Sequence, residues 1–185
     1  VEDSVQLADR LAAAGADLAL FSELDPSAAR RIDTGAATTA LAFAPGGQEL
    51  AVAHSGGVSL YREGAFFKTF ELDGTAATLS YSPDGAFLAC GMEEPGVALI
   101  RLVDGEIDWV RDYPTPVRSL AWSGSGRAFA TSGAFRTTVW AFTAEGRGEP
   151  LVAGRTGLVI VYSVAAAPNR PLIAAGYASG FLCLT

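Results

Sequence analysis

The chain has 185 residues, of which 50% are hydrophobic and 18% charged, and its formal net charge is −7. Half-apolar composition excludes a disordered segment, and the negative balance repels a phosphate backbone, so nucleic acid is excluded as a partner. The thirteen cations are twelve arginines and Lys68, scattered except for Arg30–Arg31, and they form no basic patch.

Taken in chain order, the first patterned stretch is LAAAGADLALF, Leu11 to Phe21. Its alanines suggest a helix, but Gly15 interrupts it and its register matches later strand-like runs, so strands are expected. ARRIDT follows, near Ala29. Next come TALAFA, the turn Pro45-Gly46-Gly47, ELAVAH, VSLY at Val58 and FFKTFEL at Phe66. The following stretch has the turn Pro83-Asp84-Gly85, VALI at Val97 and EIDWVRD at Glu106. The last two stretches hold TTVW at Thr137, EPLVAGR at Glu149 and FLCL at Phe181. Each run is short, aliphatic or aromatic, and bounded by Gly, Pro, Asp or Ser, which reads as a strand between tight turns.

These runs repeat. Phe43-Ala44-Pro45, Tyr81-Ser82-Pro83, Trp122-Ser123-Gly124 and Ala166-Ala167-Pro168 are each followed, five positions on, by an apolar anchor. With Leu11 from the first stretch, the anchors Leu50, Leu88, Phe129 and Ile173 are spaced by 39, 38, 41 and 44 residues. Four short antiparallel strands per ~40 residues is the pattern of a β-propeller blade. Inner strands such as Leu41-Ala42-Phe43 and Leu120-Ala121-Trp122 alternate small residues for a crowded axis with bulky ones for the space between blades. The fourth runs are more charged, as an outer strand facing solvent should be.

On those residues the chain resembles the WD40-repeat family, in particular its divergent bacterial members, and the resemblance covers nearly the whole chain. SPDG at Ser82–Gly85 is that family's favoured turn, with APGG at Ala44–Gly47 and SGSG at Ser123–Gly126 as variants. Trp140 stands at the signature Trp position, taken by Phe21, Tyr61, Ile100 and Leu184 in the other copies. The Asp expected after it is replaced by Ser22, Arg62, Arg101, Ala141 and Thr185, and no Gly-His dipeptide occurs. The family's Asp-His-Ser/Thr-Trp network is therefore expected to be missing from every copy.

The expected fold is thus all-β: a β-propeller segment of about four to five four-stranded antiparallel blades forming an incomplete ring. The expected units are a partial blade 1–34, blades 36–73, 75–113 and 115–154, and a partial blade 156–185. Strands number three, then three sets of four, then three, eighteen in all. A seven-bladed ring needs about 28 strands, and the chain begins at Val1 rather than Met. The expectation is a piece of a longer propeller, with ring completion or self-association through exposed terminal faces as the alternative.

Chemistry has few carriers here. His54 is the sole histidine, no GxSxG accompanies it, and the repeat alignment puts it in a loop where other copies have Gly91, Ser132 or Gly176. Cys90 and Cys183 lie far apart in strand-like runs and read as buried inert thiols. Neither zinc spacing nor a calcium loop nor a phosphate-binding loop occurs, so no catalytic residue, metal or cofactor is expected. Apolar runs such as Leu158 to Val161 fall far short of the ~20 residues of a membrane span, and a cytoplasmic setting is expected without a membrane partner.

The resemblance implies instead a scaffold whose loops gather on one face and bind protein. By position those loops hold His54, Met92, Glu93, Glu94, Phe135, Arg136 and Tyr177, with Arg118 and Tyr162 just after the blade-to-blade connections. Loop Phe, Tyr, Arg and Met are residue types that anchor interfaces, and Phe135-Arg136 is the leading pair. The alternative is an enzyme or small-ligand propeller whose active residues lie in blades outside this chain.

Overall fold

The structure is a computed structural model that describes residues 10–13, 18–22, 25–143, 146–154 and 157–184, with side chains described from residue 32 onward. Every regular element in them is a strand. The N-terminal sheet comprises β1 (Arg10–Ala13), β2 (Leu18–Ser22) and β3 (Asp25–Ile32). Leu11 pairs with Phe21 and Ala13 with Ala19, so the alanine-rich stretch is a hairpin and not a helix.

A sheet of six strands follows: β4 (Thr38–Phe43), β5 (Glu49–Arg62), β6 (Ala65–Tyr81), β7 (Phe87–Met92), β8 (Val97–Arg101) and β9 (Ile107–Val110). Two of these fold back on themselves. Extended, the fourteen residues of β5 would span roughly 45 Å at about 3.3 Å per residue. Yet the Glu63 N–H donates to the Gln48 carbonyl at 3.2 Å. The chain therefore doubles back within β5, and Gly56, at φ +83°, marks the reversal. β6 likewise serves two partners: residues up to Thr75 pair with β5, and Ala76–Tyr81 pair with β7. The six elements are thus two consecutive four-stranded antiparallel units.

A third four-stranded unit contains β10 (Leu120–Trp122), β11 (Ala128–Thr131), β12 (Thr137–Thr143) and β13 (Gly146–Ala153). The last sheet has β14 (Val161–Ala166), β15 (Ile173–Tyr177) and β16 (Leu182–Leu184).

The core lies between sheets rather than within one. In β7, Leu88, Cys90 and Met92 pack with Leu60 and Phe70 of the preceding unit, while Phe87 and Ala89 pack with Phe129 and Trp140 of the following one. Period-two alternation sends successive side chains into two different cores, and this is why β7 is buried throughout. Ala130 and Val139 join Val161, Ile173 and Tyr177 in the next core. On the other side, Leu50, Val52 and Tyr61 meet Ile32 and Phe43. Aromatic rings concentrate where Trp122 sits 4.6 Å from Phe129 and 4.7 Å from Phe142, centroid to centroid.

Inner strands neighbour one another in chain order. Thr39 Oγ1 donates to the Ala76 carbonyl at 2.6 Å, and Trp122 Nε1 to the Ser80 carbonyl at 3.2 Å. Ser119 and Val164 exchange two bonds, at 3.0 and 3.2 Å. The charged fourth strands lie outside as expected: β13 is exposed or half-buried along its whole length. These sheets, packed face to face around a line of inner strands, are blades of a β-propeller.

Candidate functional site: the loop face

Backbone bonds gather one set of loops at one end of the strands. The Glu93 N–H donates to the Thr75 carbonyl at 2.8 Å, and the Val117 N–H to the Met92 carbonyl at 3.2 Å. Ser132 N–H reaches Ser119 at 3.0 Å, Gly133 N–H reaches Val161 at 2.9 Å, and Ala178 N–H reaches Ile160 at 3.0 Å. Every bond ties the end of a second strand, or the loop after it, to the segment leading into or opening a first strand. Approach is close enough that a Cβ on Gly91 would collide with the Val117 carbonyl, which explains the glycine there. The turns Pro45–Gly47, Pro83–Gly85 and Ser123–Gly126 sit at the opposite end, with Pro45 beside Gly85 and Pro83 beside Gly126, 3.6 Å from where each Cβ would be.

The sequence-predicted residues do not share one setting. Glu93, Glu94, Arg118 and Phe135 are exposed on the loop face. Arg118 donates to Glu93 at 2.7 Å, an exposed pair of small energetic weight. Glu94 accepts the Thr75 N–H at 3.0 Å, so this carboxylate also braces its own loop. Arg136 is half-buried, and its guanidinium donates to the Val152 carbonyl at 3.1 Å, which gives it a place in the fold.

Met92 and Tyr177 are core residues, 1% and 7% exposed, and cannot meet a partner. Register explains this. Met92 pairs with Ala76, Tyr177 with Val161 and His54 with Thr38, so all three end a second strand. His54 thus corresponds to Met92 and Tyr177, not to Gly91 or Gly176, and it lies in β5 rather than in a loop. Tyr162 also belongs to a strand, β14, where a bulge leaves it 65% exposed.

His54 has a local role that the sequence did not disclose. Its Nε2 bonds to the Ser59 hydroxyl at 3.0 Å, which bonds to the Thr69 hydroxyl at 2.8 Å. The chain of side chains crosses three successive strand segments of one unit. A buried bond, 2.7 Å long, joins the hydroxyls of Tyr113 and Thr131 beside Trp140 in the third four-stranded unit. Burial pushes the Tyr113 phenol above its usual range, against the opposing pull of the Thr131 bond. Each bond ties neighbouring segments of a sheet together through side chains.

Both cysteines are unbridged. Cys90 is fully buried, and burial drives its thiol far above the reactive range. Cys183 is half-buried, less enclosed than its apolar run suggested. Among the described residues no cluster of three or more His, Cys, Asp or Glu side chains could hold a metal ion. Nor, among the described residues, is any helix long and apolar enough to cross a membrane.

No protein-family model matches the chain, and no curated protein matches it in sequence. Among solved structures it is similar to the β-propeller domain of Cps50 (Swd1) from Myceliophteria thermophila, with a TM-score of 0.70 and 15% identity. That similarity covers 93% of this chain and 63% of the other, so this chain spans less than two thirds of that domain. At such identity the likeness establishes the fold alone, and the fold is a β-propeller.

Proposed function

We propose that the chain is a non-catalytic scaffold of the WD40-repeat type that presents its loop face to a protein partner. The observation that supports this most is the backbone ladder, which gathers Glu93, Glu94, Arg118 and Phe135 from separate blades onto one surface. Exposed charge around an aromatic anchor on rigidly held loops is the composition of a protein-binding patch. The setting proposed is the cytoplasm of a bacterium, a reading supported by twelve arginines to one lysine and by two unbridged cysteines. The blade units of this reading are 36–73, 75–113 and 115–154, with partial blades 1–34 and 156–185. Leu182 and Leu184, 62% and 61% exposed in β16, offer a face for a further blade or a second copy.

Phe135→Ala tests the proposal, because Phe135 is 37% exposed on the loop face, and an unchanged melting temperature shows that the variant folds. Proteins captured by the wild-type chain should be lost with Phe135→Ala and with Arg118→Glu, and retained with a change at Pro83 on the opposite end. Retention of every captured protein by both loop variants contradicts the assignment of this face.

A further inference from the structure

A cleft of about 720 Å³ opens at the other end of the molecule, between the third four-stranded unit and the last sheet. Val139, Leu151 and Ala153 of β12 and β13 form one wall, and Leu172 and Ile173 form the other. Val139 and Ile173 are buried at the floor, while Leu151 is 66% exposed at the mouth. The rim is polar: Ser125 and Arg127 from one turn, Asn169 and Arg170 from the next. Among the described residues no acidic side chain lines the cleft.

Charge singles this place out. Arg62, Arg101, Arg111, Arg118 and Arg147 each pair with a carboxylate. Among the described residues Arg127, Arg136 and Arg170 pair with none, although the chain carries a net charge of −7; Arg136 is half-buried on the Val152 carbonyl, which leaves Arg127 and Arg170 as the exposed ones. Two exposed guanidinium groups without carboxylate partners, both on the rim of one apolar cleft, complement an apolar ligand that carries carboxylates. A volume of this size suits a compact ligand or a few residues of peptide.

Backbone geometry favours the peptide. β13 is the outermost strand of its sheet, so alternate N–H and C=O groups on its outer edge have no strand partner. Of these, the Val152 carbonyl is taken by Arg136. Asn169 adds a side-chain amide, both donor and acceptor, at the same rim. We propose that this cleft binds a short extended peptide with aliphatic side chains in the cleft and Asp or Glu side chains on Arg127 and Arg170. The site is separate from the loop face and does not depend on it.

The test is selection of a random-peptide phage library on the full chain, with binding of selected peptides then measured by fluorescence anisotropy. Selected sequences should place Asp or Glu beside Leu, Ile or Val. Replacing both arginines, Arg127→Gln with Arg170→Gln, should weaken binding by about tenfold or more. Leu151→Asp should abolish it, and unchanged melting temperatures should show that both variants fold. Equal binding by the double-arginine variant overturns the proposal, as does selection without acidic residues or no selection at all. Laurate, an apolar carboxylate without a peptide backbone, is the control ligand; binding of laurate with no binding of peptides also overturns it. The Phe135→Ala variant should bind these peptides as the wild type does, which separates failure of this site from failure of the loop face.

Discussion

The turn Ser82–Gly85 is held by side chains as well as by backbone. Ser82 Oγ donates to Asp84 at 2.6 Å and accepts the Phe87 N–H at 2.9 Å, while Asp84 also accepts the Ala86 N–H at 3.0 Å. At Ser123–Gly126 a serine replaces the aspartate, and the equivalent bonds lengthen to 3.2 and 3.4 Å. In Ala44–Gly47 only backbone bonds hold the turn, from the Gly47 N–H to the Ala44 carbonyl at 2.8 Å and from the Ala44 N–H to the Glu49 carbonyl at 2.9 Å. Three turns with one shape therefore carry graded side-chain support. The Ser82 bond, then the Ala86 bond, hold the Asp84 carboxyl below its ordinary value. A carboxylate with a depressed folded pKa stabilises the fold above its unfolded pKa, and that contribution fades as pH falls through the folded value. Asp84→Asn should therefore lower the melting temperature near neutral pH, with the gap to wild type closing below about pH 4. Thermal melts across that range check it, and a gap independent of pH contradicts the account. The turns were legible in the sequence because Pro-Asp-Gly and its variants have one conformational use. The His54–Ser59–Thr69 chain was not, since it joins residues whose pairing depends on strand register.

At the scale of elements, register decided which expectations held. Anchor spacing located the strands, and hydrophobic alternation predicted their faces, because both depend on the period-two geometry of a single strand. What spacing could not fix was where a strand ends. Met92 and Tyr177 look like loop residues beside Gly91 and Gly176, yet pairing with Ala76 and Val161 carries them into the core. Likewise, the bulge at Tyr162 is invisible without its partner strand. Side-chain bonds between distant residues were not legible either. Tyr113 and Thr131 are 18 residues apart and meet only through the fold. Tyr113→Phe and Thr131→Val should each destabilise by about 1–3 kcal/mol, since each leaves a buried hydroxyl or loses its bond. The double variant should cost less than the sum, and a denaturant double-mutant cycle measures the difference. Strict additivity would mean that the bond contributes nothing.

Across the whole molecule, each of the three four-stranded units buries both faces of its strands against its neighbours, so none of them holds a core alone. That arrangement was predictable from the repeat, which is a statement about the chain's period rather than about any residue. The proposed binding face was less legible because a surface patch has no period. It is assembled from loops about 40 residues apart, one from each repeat. Backbone bonds across the blade boundaries hold those loops in place, and they make the loop face a preformed surface rather than a set of independent loops. Hydrogen–deuterium exchange on the chain, alone and saturated with a captured protein partner, tests this most directly. The account predicts new protection at residues 93–96, 117–119 and 134–136, with the turns 45–47 and 83–85 unchanged. Protection confined to those turns, with the loops exchanging as before, would contradict it.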